Sequence, residues 1–215
     1  MFNFNIESLI ISIPAVLLAL SFHEFAHGYV AYRLGDPTPK IQGRLTLNPL
    51  AHLDLLGTLM MFIARFGWAK PVQVNPLNFK GDRMRGMMLV SLAGPLSNIL
   101  IAFIGLLLYN LLGVYAYDFI IRHYRIELFL ITLIYLNVYL SIFNLIPLPP
   151  LDGSKILLGI LPRRYYNSYF NLERYAPIIL ILLILTGITS RVLAPIAALL
   201  IGLLDKLAYL IVTIF

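Results

Sequence analysis

Two histidines four residues apart lie near the end of the first apolar stretch. On a helix, His23 and His27 project from one face, one turn apart, so both imidazoles can bind the same metal ion. Glu24 follows the first histidine, and a carboxylate there can take a proton from a metal-activated water without being a ligand itself. This HExxH pattern is typical of zinc metallopeptidases. The alternative is a structural pair of histidines whose ring nitrogens bond to backbone carbonyls in a helix bundle.

The surroundings of the motif indicate a membrane. Residues 10–20 contain no charged side chain, and polar groups inside an apolar span are costly enough to indicate function. Of the 215 residues, 60% are hydrophobic and 12% are charged, a balance that predicts an integral membrane protein. The chain has no cysteine, which excludes a disulfide framework and a thiolate metal site. Any zinc must therefore be held by nitrogen and oxygen ligands.

The apolar segments predict an all-α polytopic membrane protein with about five or six transmembrane helices, since each crossing needs about 20 apolar residues. The predicted spans are residues 8–34, 86–112, 127–146, 176–189 and 192–215. A small membrane-associated β-region after the first helix is predicted from a short strand or hairpin at residues 38–49 and a strand at 72–74. Residues 53–66 are short for a span and predict a re-entrant or interfacial helix, with a thinned crossing as the alternative.

The distribution of basic and acidic residues predicts which helix ends lie on the same side of the membrane. Residues 33–85 carry eight basic and three acidic side chains, so the positive-inside rule places them in the cytoplasm. The first span then runs inward and the span at residues 127–146 returns inward, which brings His23, His27 and Asp152 to the same side of the membrane. A catalytic zinc typically has three protein ligands and one open position, and Asp152 is the predicted third ligand.

Other assignments remain open for these side chains. Asp152 precedes Gly153 in a proline-rich stretch, and a turn-forming or capping aspartate is the alternative to a ligand. His52 could be another ligand or a partner of a ligand, or it could pair with Asp54 at the mouth of the short helix. We expect residues 1–160 to form the catalytic core, and residues 161–215 to form an interfacial segment and the C-terminal helices.

Two motifs together resemble the site-2 protease family of intramembrane zinc metalloproteases. The first motif is residues 23–27, and the second is residues 144–153, N-L-I-P-L-P-P-L-D-G, which fills every fixed position of the family pattern N-x-x-P-x-P-x-L-D-G. Residues 94–98 are similar to the family's G-x-x-x-N element. The resemblance covers about residues 8–160 and fits the compact prokaryotic branch that lacks PDZ and CBS domains.

The resemblance implies cleavage of peptide bonds within or beside transmembrane segments, in regulated intramembrane proteolysis with one Zn²⁺ per chain. The residues that it assigns are the metal ligands His23, His27 and Asp152, the general base Glu24, and the site-lining Asn144 and Asn98. The asparagines could stabilise an oxyanion, with interhelical packing as the alternative. Trp68 and the strand region around Val72 would belong to the family's β-structure that receives substrate.

The expected partners are transmembrane-helix protein substrates and the lipid bilayer. The net charge of +6 is assigned to loops that face anionic headgroups rather than to nucleic-acid binding. The expected location is a prokaryotic cell membrane, crossed several times, with the active site toward the cytoplasm, and a homo-oligomer is left open. The rival interpretations are a transporter or ion pathway built on the same His/Asp cluster and a non-catalytic scaffold that binds membrane helices.

Overall fold

The computed structural model describes residues 6–54, 56–57 and 70–214, and most of these residues are helical. The α-helices are α1 (Ile6–Arg33), α2 (Thr38–Ile41), α3 (Arg83–Tyr115), α4 (Tyr117–Arg122), α5 (Tyr124–Asn144), α6 (Asp152–Ile160), α7 (Tyr166–Glu173), α8 (Ala176–Leu185) and α9 (Ile188–Ile214). Short 3₁₀ helices occupy Pro49–Ala51, Pro76–Asn78 and Arg163–Tyr165.

Four helices in the described ranges are long and apolar enough to cross a membrane. They are Ile10–Arg33, Arg83–Tyr115, Tyr124–Asn144 and Arg191–Ile214. The prediction of an all-α polytopic integral membrane protein is therefore confirmed. The predicted total of five or six crossings includes residues 176–189, where α8 has only 10 residues. The short segment at residues 53–66 falls almost entirely outside the described residues.

The predicted strand at residues 38–49 is wrong. The chain begins the short helix α2 at Thr38 and continues through turns to a 3₁₀ helix. Pro39 explains the difference, because its fixed φ suits the first turn of a helix and its missing N–H costs nothing there. Residues 72–74 have no regular secondary structure, so the strand predicted there is not formed, and no strand occurs in the described ranges.

The end of α1 packs closely against the turn that precedes α3. Gly35 has a φ of 111°, and a Cβ at this position would lie 3.0 Å from the carbonyl oxygen of Asn78. Both observations favour glycine, which tolerates positive φ and close backbone approach. The Lys80 N–H donates to the Leu34 carbonyl at 2.8 Å. These contacts attach the chain at residues 78–80 to the end of α1.

Contacts within the chain define two compact units. The first contains residues 1–19, 98–143 and 181–215, and the second contains residues 20–97 and 144–180. One apolar cluster of the first unit consists of Leu106, Ile134 and Ala208, and one cluster of the second unit consists of Ala31, Phe79 and Val90. The HExxH motif and Asp152 both belong to the second unit, so the site lies within one unit.

Candidate metal centre

The two histidines and the aspartate converge on one point. His23 and His27 lie one turn apart on α1, and their Nε2 atoms are 3.0 Å apart. Asp152 is the first residue of α6, and its Oδ2 lies 3.1 Å from Nε2 of His23 and 3.2 Å from Nε2 of His27. All three residues are buried, with at most 8% of their surface exposed. The structure therefore brings the three predicted ligands together.

This triangle fits a zinc ion. Nitrogen and oxygen ligands that lie about 2.0–2.2 Å from tetrahedral zinc are about 3.3–3.6 Å from one another, which is slightly longer than the three distances above. Two imidazoles and one carboxylate also form a typical donor set for catalytic zinc. Among the described residues, these three form the cluster in which each side chain offers a ligand atom within 4.8 Å of the others.

A backbone carbonyl fixes the orientation of the second histidine. Nδ1 of His27 donates to the Val90 carbonyl of α3 at 2.7 Å, in a buried contact. Because a carbonyl oxygen only accepts, Nδ1 carries the proton, and the neutral ring presents an unprotonated Nε2 to a metal. The fold thus selects the tautomer that can ligate.

Asp152 enters the site where the proline-rich segment turns into α6. Leu151, its N-cap residue, is extended, and Ser154 Oγ donates to the Leu151 carbonyl at 2.6 Å. Burial acts to raise the pKa of the Asp152 carboxyl, but the adjacent imidazoles of His23 and His27 outweigh burial and hold the pKa well below the usual range. The carboxyl is therefore ionised at neutral pH, as metal ligation requires.

Glu24 faces the same cleft and has a partner that the sequence did not indicate. Its Oε2 accepts a hydrogen bond from the Val72 N–H at 2.9 Å. The cleft encloses about 220 Å³, whereas one water occupies about 30 Å³, so water and a peptide group both have room. Its lining includes Pro71, Val72, Val74, Met87, Val90, Ser91, Asn144, Pro150 and Lys155 in addition to the three ligands and Glu24.

The two predicted asparagines lie in different units. Asn144 lines the cleft, as expected. Asn98 belongs to the first unit, where it is fully buried and its side-chain amide donates to Asn137 Oδ1 at 2.8 Å and to the Ala19 carbonyl at 3.1 Å. This pattern corresponds to the interhelical-packing alternative, and the catalytic roles of both residues stay predictions.

The remaining predicted residues have other positions or fall outside the structure. His52 is almost completely buried, and its Nε2 lies 2.8 Å from the Thr46 carbonyl. It is absent from the metal cluster found among the described residues. Asp54 Oδ1 accepts from the Gly57 N–H at 2.8 Å. Trp68 lies outside the described residues.

Three contacts of the centre were not foreseen from the sequence: the Val90 carbonyl, the Val72 N–H and the close approach of Gly94. A Cβ added at Gly94 would lie 2.6 Å from Cε1 of His23 and 2.6 Å from Nε2 of His27. The other two contacts are made by backbone groups, for which residue type gives no signal.

Comparisons with known proteins agree with this chemistry. A family model described as Peptidase family M50 matches residues 113–186. YwhC of Bacillus subtilis is 43% identical over 181 residues, which cover 84% of this chain and 82% of YwhC. Rip2 of Mycolicibacterium smegmatis is 30% identical over 185 residues, which cover 85% of this chain and 69% of Rip2.

An archaeal protein, MJ0611 of Methanocaldococcus jannaschii, is 29% identical over 166 residues, which cover 72% of this chain and 73% of MJ0611. All three relatives bear the name "Putative zinc metalloprotease". No solved structure matches the chain significantly. The identity to YwhC extends over most of both chains, and the matched family model includes the segment that carries Asp152. The chain therefore belongs to peptidase family M50, the site-2 protease family of zinc metalloproteases.

Proposed function

We propose that the protein is an intramembrane endopeptidase that hydrolyses peptide bonds within or next to transmembrane segments of membrane-protein substrates, in regulated intramembrane proteolysis. His23, His27 and Asp152 would hold one Zn²⁺, with Glu24 as the general base. The single observation that carries the proposal is the position of the site on α1. Residues 23–27 lie inside a helix segment, Ile10–Arg33, that is long and apolar enough to span a membrane, which supports a site that a substrate reaches at membrane depth.

The residues of the chain supply the proton transfers of a hydrolysis. Bound zinc would polarise the scissile carbonyl and make water acidic enough to attack near neutral pH. Glu24 accepts a proton from the attacking water, whose oxygen bonds to the carbonyl carbon. The C–N bond then breaks, and Glu24 returns the proton to the departing amine. Asn144, which lines the same cleft, would donate a hydrogen bond to the carbonyl oxygen as it becomes negative.

The chain at residues 71–75, which has no regular secondary structure, supports a mode of substrate binding. Val72 and Val74 are half-buried and line the cleft, whereas Pro71 and Gln73 are exposed. The N–H groups of Gln73 and Val74 have no hydrogen-bond partner among the described residues. A transmembrane helix hides its own carbonyls and must unwind before hydrolysis, and an extended peptide can pair with free backbone groups of this kind.

Charge supports a cytoplasmic position for the cleft. Basic side chains predominate in the residues between the first and second long helices, and such an excess marks the cytoplasmic side of a membrane protein. Lys155, beside Asp152 in the cleft lining, has the same sign. We propose that the active site receives its water from the cytoplasm.

The function can be tested by mapping new N-termini. Bacterial membrane proteins solubilised in detergent would be incubated with zinc-loaded wild type, Glu24→Gln or Glu173→Gln, and new N-termini identified by mass spectrometry. Glu173→Gln is the matched control, because this glutamate is exposed at the end of α7. We expect wild type and Glu173→Gln to produce termini within or beside transmembrane segments.

Glu24→Gln should retain zinc and produce no such termini, because the amide cannot accept the proton. A chelator should abolish them with wild type, and added zinc should restore them. Retained cleavage by Glu24→Gln would exclude Glu24 as the base. New termini confined to soluble segments would contradict intramembrane cleavage while leaving the metalloprotease chemistry intact.

A further inference from the structure

Three backbone hydrogen bonds, and one side-chain hydrogen bond from Gln42 Nε2 to Gln73 Oε1 at 2.8 Å, hold the segment at residues 70–75 against the rest of its unit. The Lys70 N–H donates to the His52 carbonyl at 2.8 Å, and the Val72 N–H donates to Glu24 at 2.9 Å. The Asn75 N–H donates to Oδ2 of Asp36 at 2.7 Å. The segment has neither helical nor ladder hydrogen bonds among the described residues, so these contacts determine where the Val72 amide lies.

Asp36 is the most heavily bonded of these acceptors. Oδ1 accepts from the Thr38 N–H at 3.1 Å, the Thr38 hydroxyl at 2.6 Å and the Asn78 side-chain amide at 2.8 Å, while Oδ2 accepts from Asn75. Asp36 is fully buried and forms no ion pair with any described residue. A buried carboxylate without a cation is costly unless donors satisfy it, and here four donors do so.

Asp36 is also attached to the helix that carries the catalytic motif. Its own N–H donates to the Ala31 carbonyl of α1 at 3.0 Å. The acceptors of the Val72 and Asn75 amides, Glu24 and Asp36, thus lie on α1 or just after it. Because α1 fixes the distance between these two acceptors, it also fixes the positions of the Val72 and Asn75 amides, which are only three residues apart.

We propose that Asp36 is a positioning residue for catalysis, which holds residues 70–75 so that the Val72 N–H meets the Glu24 carboxylate. One hydrogen bond to Oε2 restricts rotation of this carboxylate, and a general base must be held within hydrogen-bond reach of the water that it deprotonates. The catalytic part of the inference rests on the proposed role of Glu24, whereas the mechanical part does not. The competing explanation is that Asp36 only stabilises the turn.

The first test measures the mechanical part without activity. Hydrogen exchange of residues 70–80 would be followed by mass spectrometry in zinc-loaded, full-length wild type, Asp36→Asn and Asp82→Asn. Asparagine replaces one of the two carboxylate oxygens by an NH2 group, which cannot accept the hydrogen bonds made at that position. Asp82→Asn is the matched control, because Asp82 is exposed and its Oδ1 accepts from the Arg85 N–H at 2.9 Å, at the start of α3.

We expect faster exchange of residues 70–75 in Asp36→Asn and wild-type exchange in Asp82→Asn, with equal zinc content in all three proteins. Unchanged exchange in Asp36→Asn would overturn the proposal. Zinc loss in Asp36→Asn would also overturn it, since the residue would then support the whole centre rather than the segment. This measurement is informative even if the protein cleaves nothing, and in that case only the proposed function fails.

The second test separates positioning from stability. Val72→Pro removes the N–H group that donates to the Glu24 carboxylate. On a transmembrane peptide that wild type cleaves, each single variant should lower kcat by about tenfold or more with little change in KM. Because both act on the same contact, the double variant should be about as slow as the slower single variant. Losses that multiply would assign Asp36 a purely structural role.

Discussion

Gly94 of α3 lies so close to His27 of α1 that no side chain fits between them. A Cβ at this position would be 2.6 Å from Nε2 of His27, and it would be equally close to Cε1 of His23. The glycine therefore contacts both imidazoles at the face where they meet Asp152. We conclude that the two imidazoles can lie this close to α3 only because residue 94 has no Cβ.

Gly94→Ala should weaken zinc binding, because the methyl group forces at least one imidazole out of the triangle. Mutation of a residue that orients a metal ligand typically lowers metal affinity by about 10–100-fold. We expect a loss of zinc affinity of that size, measured by competition titration with a chelator. Gly113→Ala is the matched control, since it lies on the same helix and an added Cβ meets no atom within 4 Å. Wild-type affinity in Gly94→Ala would show that the imidazoles relax around the methyl group.

Asp152→Ala should leave the histidine pair without its third ligand. We expect zinc affinity to fall by about 100-fold or more, since loss of a ligand should cost at least as much as loss of a residue that only orients one. Metal content of the purified protein, measured beside Asp118→Ala, checks this result. Asp118 is an exposed aspartate of α4, so its loss should leave zinc unchanged. Full zinc content in Asp152→Ala would move the third ligand elsewhere, with His52 and Asp54 as the next candidates.

The parts of the centre that depend on residue type and spacing could be predicted from the sequence. The i, i+4 histidines lie on one helix face, and the alternation of spans placed Asp152 on the same side. The hydrogen bonds to the Val90 carbonyl and the Val72 N–H could not be predicted, because backbone groups carry no sequence signal. The end of the first span was predicted within one residue, since α1 ends at Arg33. Nothing in the sequence indicated that Asp36 accepts hydrogen bonds from residues about 40 positions later.

The strand predicted at residues 38–49 failed for a related reason. Loose alternation of apolar and polar residues favours a strand, but Pro39 and the Asp36 contact to the Thr38 N–H begin a helical turn instead. Local hydrogen bonding thus outweighed the alternation. The strand predicted at residues 72–74 is likewise absent, and the hydrogen bonds of these residues go to the side chains of Glu24 and Gln42 rather than to a neighbouring strand.

Asp36 should make the stability of the protein depend on pH in the acid range. Burial acts to raise the pKa of its carboxyl, but hydrogen bonds from Thr38, Asn78 and Asn75 outweigh burial and lower it. A carboxyl whose pKa is lower in the folded than in the unfolded protein contributes stability above the unfolded pKa of about 3.9, and this contribution is lost as pH falls toward the folded pKa.

Thermal unfolding in detergent checks this sign. At pH 7, Asp36→Asn should lower Tm by about 4–10 °C, given roughly 1.5–3 kcal/mol for hydrogen bonds to a charged group. The difference from wild type should shrink below about pH 4. Asp118→Asn should leave Tm unchanged at both pH values. A difference that stays constant down to pH 3 would mean that the charge of Asp36 does not contribute to stability.

Lys155 should bias the choice of substrate. It lines the cleft three residues after Asp152, is exposed, and forms no ion pair with any described residue. It also lies in the first turn of α6, where the helix dipole disfavours a cation, so helix stability does not explain its presence. We expect transmembrane peptides with an acidic residue beside the scissile bond to be cleaved about 2–5-fold faster than matched lysine peptides, since exposed ion pairs contribute about 0.2–1 kcal/mol.

Lys155→Glu should reverse this preference without changing the cleavage of neutral peptides, and raising the salt concentration should weaken it in both proteins. The three peptides would differ at one position only, with Asp, Asn or Lys beside the same scissile bond. Lys206→Glu is a matched control, because Lys206 is exposed on α9 in the first unit. A preference that survives in Lys155→Glu would assign the selectivity to the apolar lining of the cleft. An equal reversal in Lys206→Glu would assign it to the net charge of the protein instead.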